Sequence, residues 1–481
     1  MLCGPEYMSM VSPRFLRHSF RFFGHYIPAE FVLLAIIETM VLIASIYIGL
    51  DIRFSGDYWQ ESHRPIFLTA CLYSFVMQMS MLAFGAYQRQ SGQSIEQLVL
   101  RIGGSLFFGL LLLGMTMYIV PAFFLGRGAV GLAVIFSYIA LITVRIIFRR
   151  LSREHDIRLR VLVLGAGDTA KLIQSAVAAG ELDGLNIVGF TKLPGDAETD
   201  KGLHLVAPSS SLIKFVEENR IDEIVLAVDD RRKGLPVQDI LDCKMSGVEV
   251  TDLLTFFERE TSKIRLDILH PSWLYLSDGF RNSIYRRMSK RLFDVSVVLF
   301  LLPFLLPIMM MVSVALLVEN RGRGSFLYRQ TRVTQSGRLF SIYKFRSMKS
   351  DAEQDGVARW AVKNDDRITR VGSVLRKYRL DELPQLFNVL KGEMSFVGPR
   401  PERPEFVEQL AKKIPYYNER HRVKPGLTGW AQIRYPYGAS EDDGLNKLQY
   451  DLYYVKNYSI FLDALVLLQT VEVVMLGKGA H

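Results

Sequence analysis

Two adjacent carboxylates, Asp381 and Glu382, stand in the run LRKYRLDELPQLFNVLKGEMSFVGPRPERPE, residues 375–405. Pro384 follows them where a helix would begin, because proline is favoured in the first turn. An acid at that place lies in the positive end of the helix dipole, which favours its ionised form. An ionised carboxylate beside a phosphate group can be a nucleophile, a metal ligand or both. An isolated Asp-Glu pair is ordinarily a helix cap followed by a solvated glutamate, so the surroundings decide. Arg400 lies between Pro399 and Pro401, and Lys344 and Arg346 lie in the segment SIYKFRSM. In a strand Lys344 and Arg346 fall on one face, with Tyr343 and Phe345 on the other. Such a face is commonly just solvated, but two neighbouring cations are also what a diphosphate requires.

These residues need elements to hold them. Residues 325–348 alternate in polarity and turn at Ser336-Gly337, which predicts a strand pair. Residues 351–373 are polar and predict a loop-rich excursion. The last apolar run, 460–476, contains Asp463, Gln469 and Glu472 and predicts a helix lying at an interface or against the domain. The 481 residues are enough for about three domains. Hydrophobic residues make up 49% and the formal net charge is +9. That basic balance suits an anionic membrane surface or phosphorylated substrates. The long apolar runs favour both of these over nucleic acid. Cys3, Cys71 and Cys243 are far apart, giving neither a disulfide framework nor a zinc site, and no HExxH occurs among the eight histidines.

Four apolar runs, 31–50, 66–86, 104–125 and 129–148, each approach the ~20 residues of a membrane-spanning helix. No small-residue cleavage site follows the first, which predicts an anchor and not a removed signal peptide. Arg14, Arg17, Arg21, Arg89, Arg101, Arg149, Arg150 and Arg153 fall on one side, against Arg53, Arg64 and Arg127 on the other. The positive-inside rule then places the N-terminus and everything after residue 149 in the cytoplasm. Glu38 and Arg145 lie within or near spans, where snorkelling would be the common explanation for Arg145. A fifth run, within about 292–318, holds Pro303 and Pro307 and has basic residues at both ends. Proline breaks or kinks helices, and both ends prefer the cytoplasmic side. The expectation is a broken re-entrant helix entering and leaving by one face.

Between these regions, Arg160-VLVLGAG reads as a buried strand running into a glycine turn. Gly165, Gly167 and Ala170 form GxGxxA, and 185–190 and 222–228 read as further strands. This predicts a Rossmann-type half-fold with a nucleotide-like loop. Thr191 and Lys192 follow the second strand where a ribose-binding acid would stand, and the segment has no YxxxK. A binding or scaffolding module is expected over an oxidoreductase.

LDELPQLFNVLKGEMSFVGPRP resembles the signature of the bacterial sugar transferases, the polyprenyl-phosphate hexose-1-phosphate transferases. YKFRSM, the stretch through Gly429-Trp430-Ala431-Gln432 and the segment 450–457 resemble them too. Relatives commonly carry Ser-Pro at the break of the re-entrant helix and Asn-Gly after GWAQ; this chain has Leu306-Pro307 and Arg434-Tyr435-Pro436-Tyr437. The resemblance implies transfer of a sugar-1-phosphate from a UDP-sugar to polyprenyl (undecaprenyl) phosphate with release of UMP, the first step of a surface polysaccharide. It implies Asp381 as nucleophile, Glu382 as ligand for Mg²⁺, and Lys344, Arg346 and Arg400 on the diphosphate, with Asp451 a candidate substrate-binding acid. The segment around GxGxxA resembles the CoA-binding-like domain of large family members. The implied protein belongs to the bacterial inner membrane, in contact with its lipid, and a homo-oligomer is compatible with it. Its architecture is α plus α/β. Residues 1–150 form four transmembrane helices, 151–260 the Rossmann-like domain and 261–285 a linker. Residues 286–481 form a mainly helical catalytic domain on the cytoplasmic face. Two other classes compete: a membrane-tethered nucleotide-sugar dehydratase, which the missing YxxxK opposes, and a nucleotide-binding membrane sensor, which the intact Asp-Glu pair opposes.

Overall fold

A computed structural model describes residues 19–54, 65–87, 94–153, 158–194, 196, 202–207, 211–230, 234–280, 283–319, 321, 325–349, 367–435 and 440–475. The expected excursion up to residue 366 and the Pro436-Tyr437 departure lie outside these. The chain forms two compact units: Met1–Phe22 with Tyr26–Ser262, and Phe23–His25 with Lys263–His481.

A short hairpin, β1 (Ser19–Phe22) and β2 (His25–Pro28), precedes four long helices: α1 (Ala29–Phe54), α2 (Ile66–Ala83), α3 (Ile95–Ile119) and α4 (Arg127–Arg153). The start of α3 is set by a capping box in which Ser94 and Gln97 each satisfy the other's backbone N–H. The helices bury a shared stripe that includes Leu42, Ile46, Tyr73, Met77, Ile102 and Ala133. Their other faces leave large apolar side chains exposed, among them Ile36, Phe107 and Ile139. Gly49 allows α1 and α4 to approach closely, since a Cβ there would lie 2.6 Å from the Ala129 carbonyl oxygen.

Arg145 does not snorkel. Its guanidinium lies 2.6 Å from Glu38 and donates to the Ala86 carbonyl, while the Tyr87 hydroxyl donates to the other Glu38 oxygen at 2.5 Å. Glu38 is fully buried and Arg145 nearly so. The carboxylate is 107 positions away in sequence, so only the packing of α1 on α4 reveals it. Removing one member of a buried pair strands the other charge. Glu38→Gln is expected to lower the thermal midpoint of the detergent-solubilised protein, through a loss of about 3–5 kcal/mol. An unchanged midpoint would mean that Arg145 reaches solvent.

The α/β part of this unit runs β3 (Leu159–Leu164), α5 (Asp168–Ala178), β4 (Leu185–Thr191), α6 (Leu212–Glu218), β5 (Glu223–Leu226), α7 (Val237–Met245), β6 (Glu249–Asp252) and α8 (Leu253–Thr261). Its sheet is parallel, in the order β4-β3-β5-β6. Val161 to Leu164 of β3 are fully buried, as befits a strand covered on both faces. Strand β6 was not legible as a strand, because EVTD lacks an apolar run.

The second unit contains α9 (Pro271–Leu276), α10 (Ile284–Glu319), β7 (Leu327–Val333), β8 (Leu339–Phe345), α11 (Arg370–Lys377), α12 (Gln385–Lys391), β9 (Ser395–Val397), α13 (Pro404–Lys413), β10 (Gly426–Thr428), α14 (Trp430–Arg434), α15 (Glu441–Asn457) and α16 (Ile460–Met475). Residues 263–280 fold onto it: the Ile264 N–H donates to the Gln449 carbonyl and the Phe280 N–H to that of Lys456. β7 and β8 are the expected antiparallel pair, turning through Ser336. In α16, Asp463, Gln469 and Glu472 are all buried, so the helix lies against the domain.

Helix α10 is one helical segment of 36 residues that continues through Pro303 and Pro307, where the sequence predicted a break. Proline's φ is compatible with a helix; what it removes is the hydrogen bond to the carbonyl four residues earlier. The freed carbonyls, of Leu299 and Pro303, are themselves four residues apart and share a face. Among the described residues, five helices are long and apolar enough to cross a membrane: α1, α2, α3, α4 and α10.

Candidate active site

The centre of the second unit is the turn Leu380–Glu382. Arg379, in the left-handed region at φ +53°, redirects the chain after α11. The two acids then form a single 3-10 turn, with Pro384 at the N-cap of α12. Asp381 is 9% exposed and Glu382 7%. The alternative of a cap acid followed by a solvated glutamate therefore does not describe them.

Glu382 gathers the cations. Lys344 Nζ lies 2.9 Å and Arg400 3.1 Å from Glu382 Oε1, and Arg379 lies 3.9 Å from Oε2. Burial opposes ionisation of Glu382, but Lys344, Arg400 and Arg379 outweigh it and hold the carboxyl well below the usual range. At Asp381 burial has the upper hand: with the Glu382 charge adding to it, it raises the carboxyl against the pull of Lys344, Arg376 and Arg400. The cluster thus pairs a firmly ionised glutamate with an aspartate whose charge is not yet compensated.

Two side chains the sequence did not single out fix this geometry. Asn388, fully buried in α12, donates to the Ser341 carbonyl at 2.8 Å and accepts from the Tyr343 N–H at 3.2 Å. It ties α12 to β8 and so holds Lys344 beside Glu382. Arg291 of α10 donates to the Val389 and Leu390 carbonyls at the C-terminus of α12, a favourable place for a cation. The first part of α10 is anchored further. Asp294 accepts from Ser395 Oγ and the Phe396 N–H, and Lys290 pairs with buried Asp463 at 2.6 Å.

Arg346 follows β8, and its N–H donates to the Phe326 carbonyl at 2.9 Å. Among the described residues the ion pairs to Glu382 come from Lys344, Arg400 and Arg379, and Arg346 is not brought into them. Asp451 is not in the cluster either. It is buried in α15 and paired with Arg420 at 2.8 Å. Arg420 in turn donates to the Arg400 carbonyl at 2.9 Å. Burial, opposed by Arg420, pushes Asp451 up to about 6. Asp451 therefore sits behind Arg400, three links from Glu382. No local signal pointed to Arg420, because Lys447 stands one helical turn before Asp451 as a nearer cation in the sequence. Gln432, in the GWAQ stretch, lies 3.4 Å from Arg400. Pro303 and Pro307 lie in α10, and Gly165 and Gly167 in the loop between β3 and α5.

Among the described residues no group of three or more His, Cys, Asp or Glu side chains could hold a metal. The donor set still fits Mg²⁺, which commonly takes one or two carboxylates and completes its shell with water and phosphate oxygens. Glu382 Oε2 suits that role, because its cation contact is the distant one.

The family described as bacterial sugar transferase matches residues 285–477, and a CoA-binding domain matches residues 82–239. The chain is 30% identical over 480 residues to UDP-glucose:undecaprenyl-phosphate glucose-1-phosphate transferase of Xanthomonas campestris pv. campestris, covering 96% of this chain and 97% of that protein. It is 40% identical over 263 residues to UDP-N-acetylgalactosamine-undecaprenyl-phosphate N-acetylgalactosaminephosphotransferase of Aeromonas hydrophila, covering 54% of this chain and 61% of that protein. It is also 42% identical over 204 residues to the exopolysaccharide production protein PSS of Rhizobium leguminosarum bv. phaseoli, covering 40% of this chain and 97% of that protein. A match along nearly the whole Xanthomonas protein joins the family signature around Asp381 and Glu382, and on these grounds the chain is an enzyme belonging to the bacterial sugar transferase family.

Proposed function

We propose that the chain transfers a hexose-1-phosphate from a UDP-sugar to undecaprenyl phosphate, releasing UMP, as the first step in building an exopolysaccharide. The observation that carries this reading is the buried Asp381 carboxylate beside a glutamate held by Lys344 and Arg400. An oxygen of Asp381 attacks the sugar-bearing phosphorus of the donor. The bond from that phosphorus to the bridging oxygen breaks, and UMP leaves with the electron pair. An oxygen of the lipid phosphate then attacks the same phosphorus and returns Asp381 as a carboxylate. Lys344 and Arg400 neutralise the diphosphate, and Arg346 supplies a further cation near the end of β8. Phosphoryl transfer depends chiefly on such positioning and electrostatics. Glu382 would hold Mg²⁺, which when bound supplies charge neutralisation on the phosphate oxygens. Asp451 acts through Arg420 on the Arg400 backbone. The names of the Xanthomonas and Aeromonas relatives support the lipid acceptor and the UDP-sugar donor. Release of UMP from UDP-glucose or UDP-N-acetylgalactosamine, dependent on added undecaprenyl phosphate, tests this. Purified, folded protein that releases no UMP from any UDP-hexose would sink it.

The proposed setting is the inner membrane, with α1 to α4 spanning and the catalytic unit on the cytoplasmic face. Helix α10 is proposed as a re-entrant element. A straight helix of its 36 residues would be about 54 Å long. Yet Asp294 near its start bonds β9, and Glu319 at its end accepts from the Val371 N–H of α11 in the same unit. Met309, Val312 and Leu316 also pack with Phe345 and Leu375. Between these anchors Phe300, Phe304 and Leu306 are exposed, as suits an apex immersed in lipid. With Arg321→Cys in a cysteine-free background, a membrane-impermeant maleimide added to intact cells is expected to leave position 321 unlabelled. Labelling from outside would mean that α10 crosses the membrane.

A further inference from the structure

The match to a CoA-binding domain over residues 82–239 implies a coenzyme carrying a diphosphate. In a doubly wound sheet such a group binds beyond the carboxyl ends of the strands, where the strand order reverses. Its pyrophosphate rests on the N–H groups at the start of the helix after the glycine turn. Here the order β4-β3-β5-β6 reverses between β3 and β5. The loop Gly165–Gly167 and the first turn of α5 stand at that point.

Donors at this place are already engaged by the chain's own acids. The Asp168 N–H donates to Asp229 Oδ2 at 3.0 Å. The Thr169 N–H donates to Asp229 Oδ1 at 2.9 Å, and the Thr169 hydroxyl lies 2.7 Å from both that oxygen and the Ala227 carbonyl. The Ala166 N–H donates to Asp196 Oδ2 at 2.9 Å, and the same oxygen accepts from the Leu193 N–H at 2.8 Å. The glycines also have internal explanations. Gly165 has φ +126°, and a Cβ there would lie 2.0 Å from the Ala227 carbonyl oxygen. Its requirement comes from the end of β5, not from an approaching ligand. Gly167 has φ −93°, which does not call for glycine. Thr191, at the end of β4, stands where a ribose-binding acid would be.

We propose that this domain takes no nucleotide diphosphate at its glycine turn, because the Asp229 carboxylate occupies the place of the pyrophosphate. A carboxylate is itself stabilised at a helix N-terminus. An incoming phosphate would have to displace the Asp168 and Thr169 N–H hydrogen bonds from Asp229 and approach a group of its own charge. The domain keeps the fold of a coenzyme-binding module while its phosphate donors serve the loop after β5. The residues present therefore do not fit CoA or a dinucleotide at this position.

Hydrogen–deuterium exchange of the full-length protein in nanodiscs tests this, read on peptides covering 165–170. CoA and ADP are added separately at about 1 mM, where a complex as weak as about −4 kcal/mol is half-formed, with saturating UMP present to fill the transferase site. Neither ligand is expected to protect these amides in the wild type. Without ligand, Asp229→Ala should exchange about fivefold faster at 168 and 169, the scale of a lost helix cap. Asp229→Asn, which keeps an acceptor oxygen, should fall between the two and covers the case in which the alanine variant does not fold. Protection of 165–170 in the wild type by either ligand would overturn the proposal. So would unchanged exchange in a folded Asp229 variant, which would mean that the carboxylate does not hold these donors in solution.

Discussion

Asp381→Asn is expected to abolish exchange of labelled UMP into UDP-sugar in the absence of acceptor lipid, and to lower overall turnover by roughly 10⁴–10⁶-fold, the scale of losing a covalent nucleophile. The amide keeps the size of the side chain and most of its hydrogen bonding, so the turn Leu380–Glu382 should persist. What disappears is the charge that attacks phosphorus. Asp381 is buried, and no hydrogen bond or ion pair to its carboxylate is formed among the described residues. A group free of such partners is available for bonding to substrate. If both acids only bound metal and the lipid phosphate attacked directly, even the wild type would show no acceptor-independent exchange. Robust turnover by the folded variant would exclude Asp381 as an obligatory nucleophile.

Glu382→Gln should have the second largest effect, about 10²–10³-fold on turnover, comparable to removing one electrostatic element from an active site. Glutamine cannot balance Lys344 and Arg400, which lie 2.9 and 3.1 Å from the same oxygen. A neutral amide is also a poorer ligand for a hard cation. The two roles separate under titration with Mg²⁺. Part of the lost activity should return at high Mg²⁺ if Glu382 is a metal ligand, and none should return for Asp381→Asn. A Glu382→Gln variant indifferent to Mg²⁺ would limit the residue to the role of counter-ion.

Much of this site was legible because its parts are close in sequence or in register. Asp381, Glu382 and Pro384 belong to one short run, and Lys344 lies on a strand whose turn is marked by Ser336-Gly337. The four long helices and three of the four parallel strands likewise follow from apolar runs bounded by turn residues. What escaped was long-range pairing. Glu38 meets Arg145, Asp451 meets Arg420 and Lys290 meets Asp463 across 107, 31 and 173 positions. No local pattern distinguishes these charges from solvated ones. Arg145 was therefore expected to reach outward, and Asp451 to face the substrate. Continuation of α10 through Pro303 and Pro307 was hidden for another reason. Proline signals a lost hydrogen bond, but its fixed φ is itself helical, so the residue type alone does not say whether the helix ends there.

The central claim is a phosphosugar bound to Asp381. Wild-type protein mixed with UDP-glucose or UDP-N-acetylgalactosamine labelled in the sugar-bearing phosphate, without lipid acceptor, should release UMP and retain label on the polypeptide. Rapid quench, digestion and mass spectrometry should place the adduct on Asp381, and chasing with undecaprenyl phosphate should move the label into lipid. UMP release only upon addition of the lipid, with no protein-bound label at any time, would contradict the two-step account.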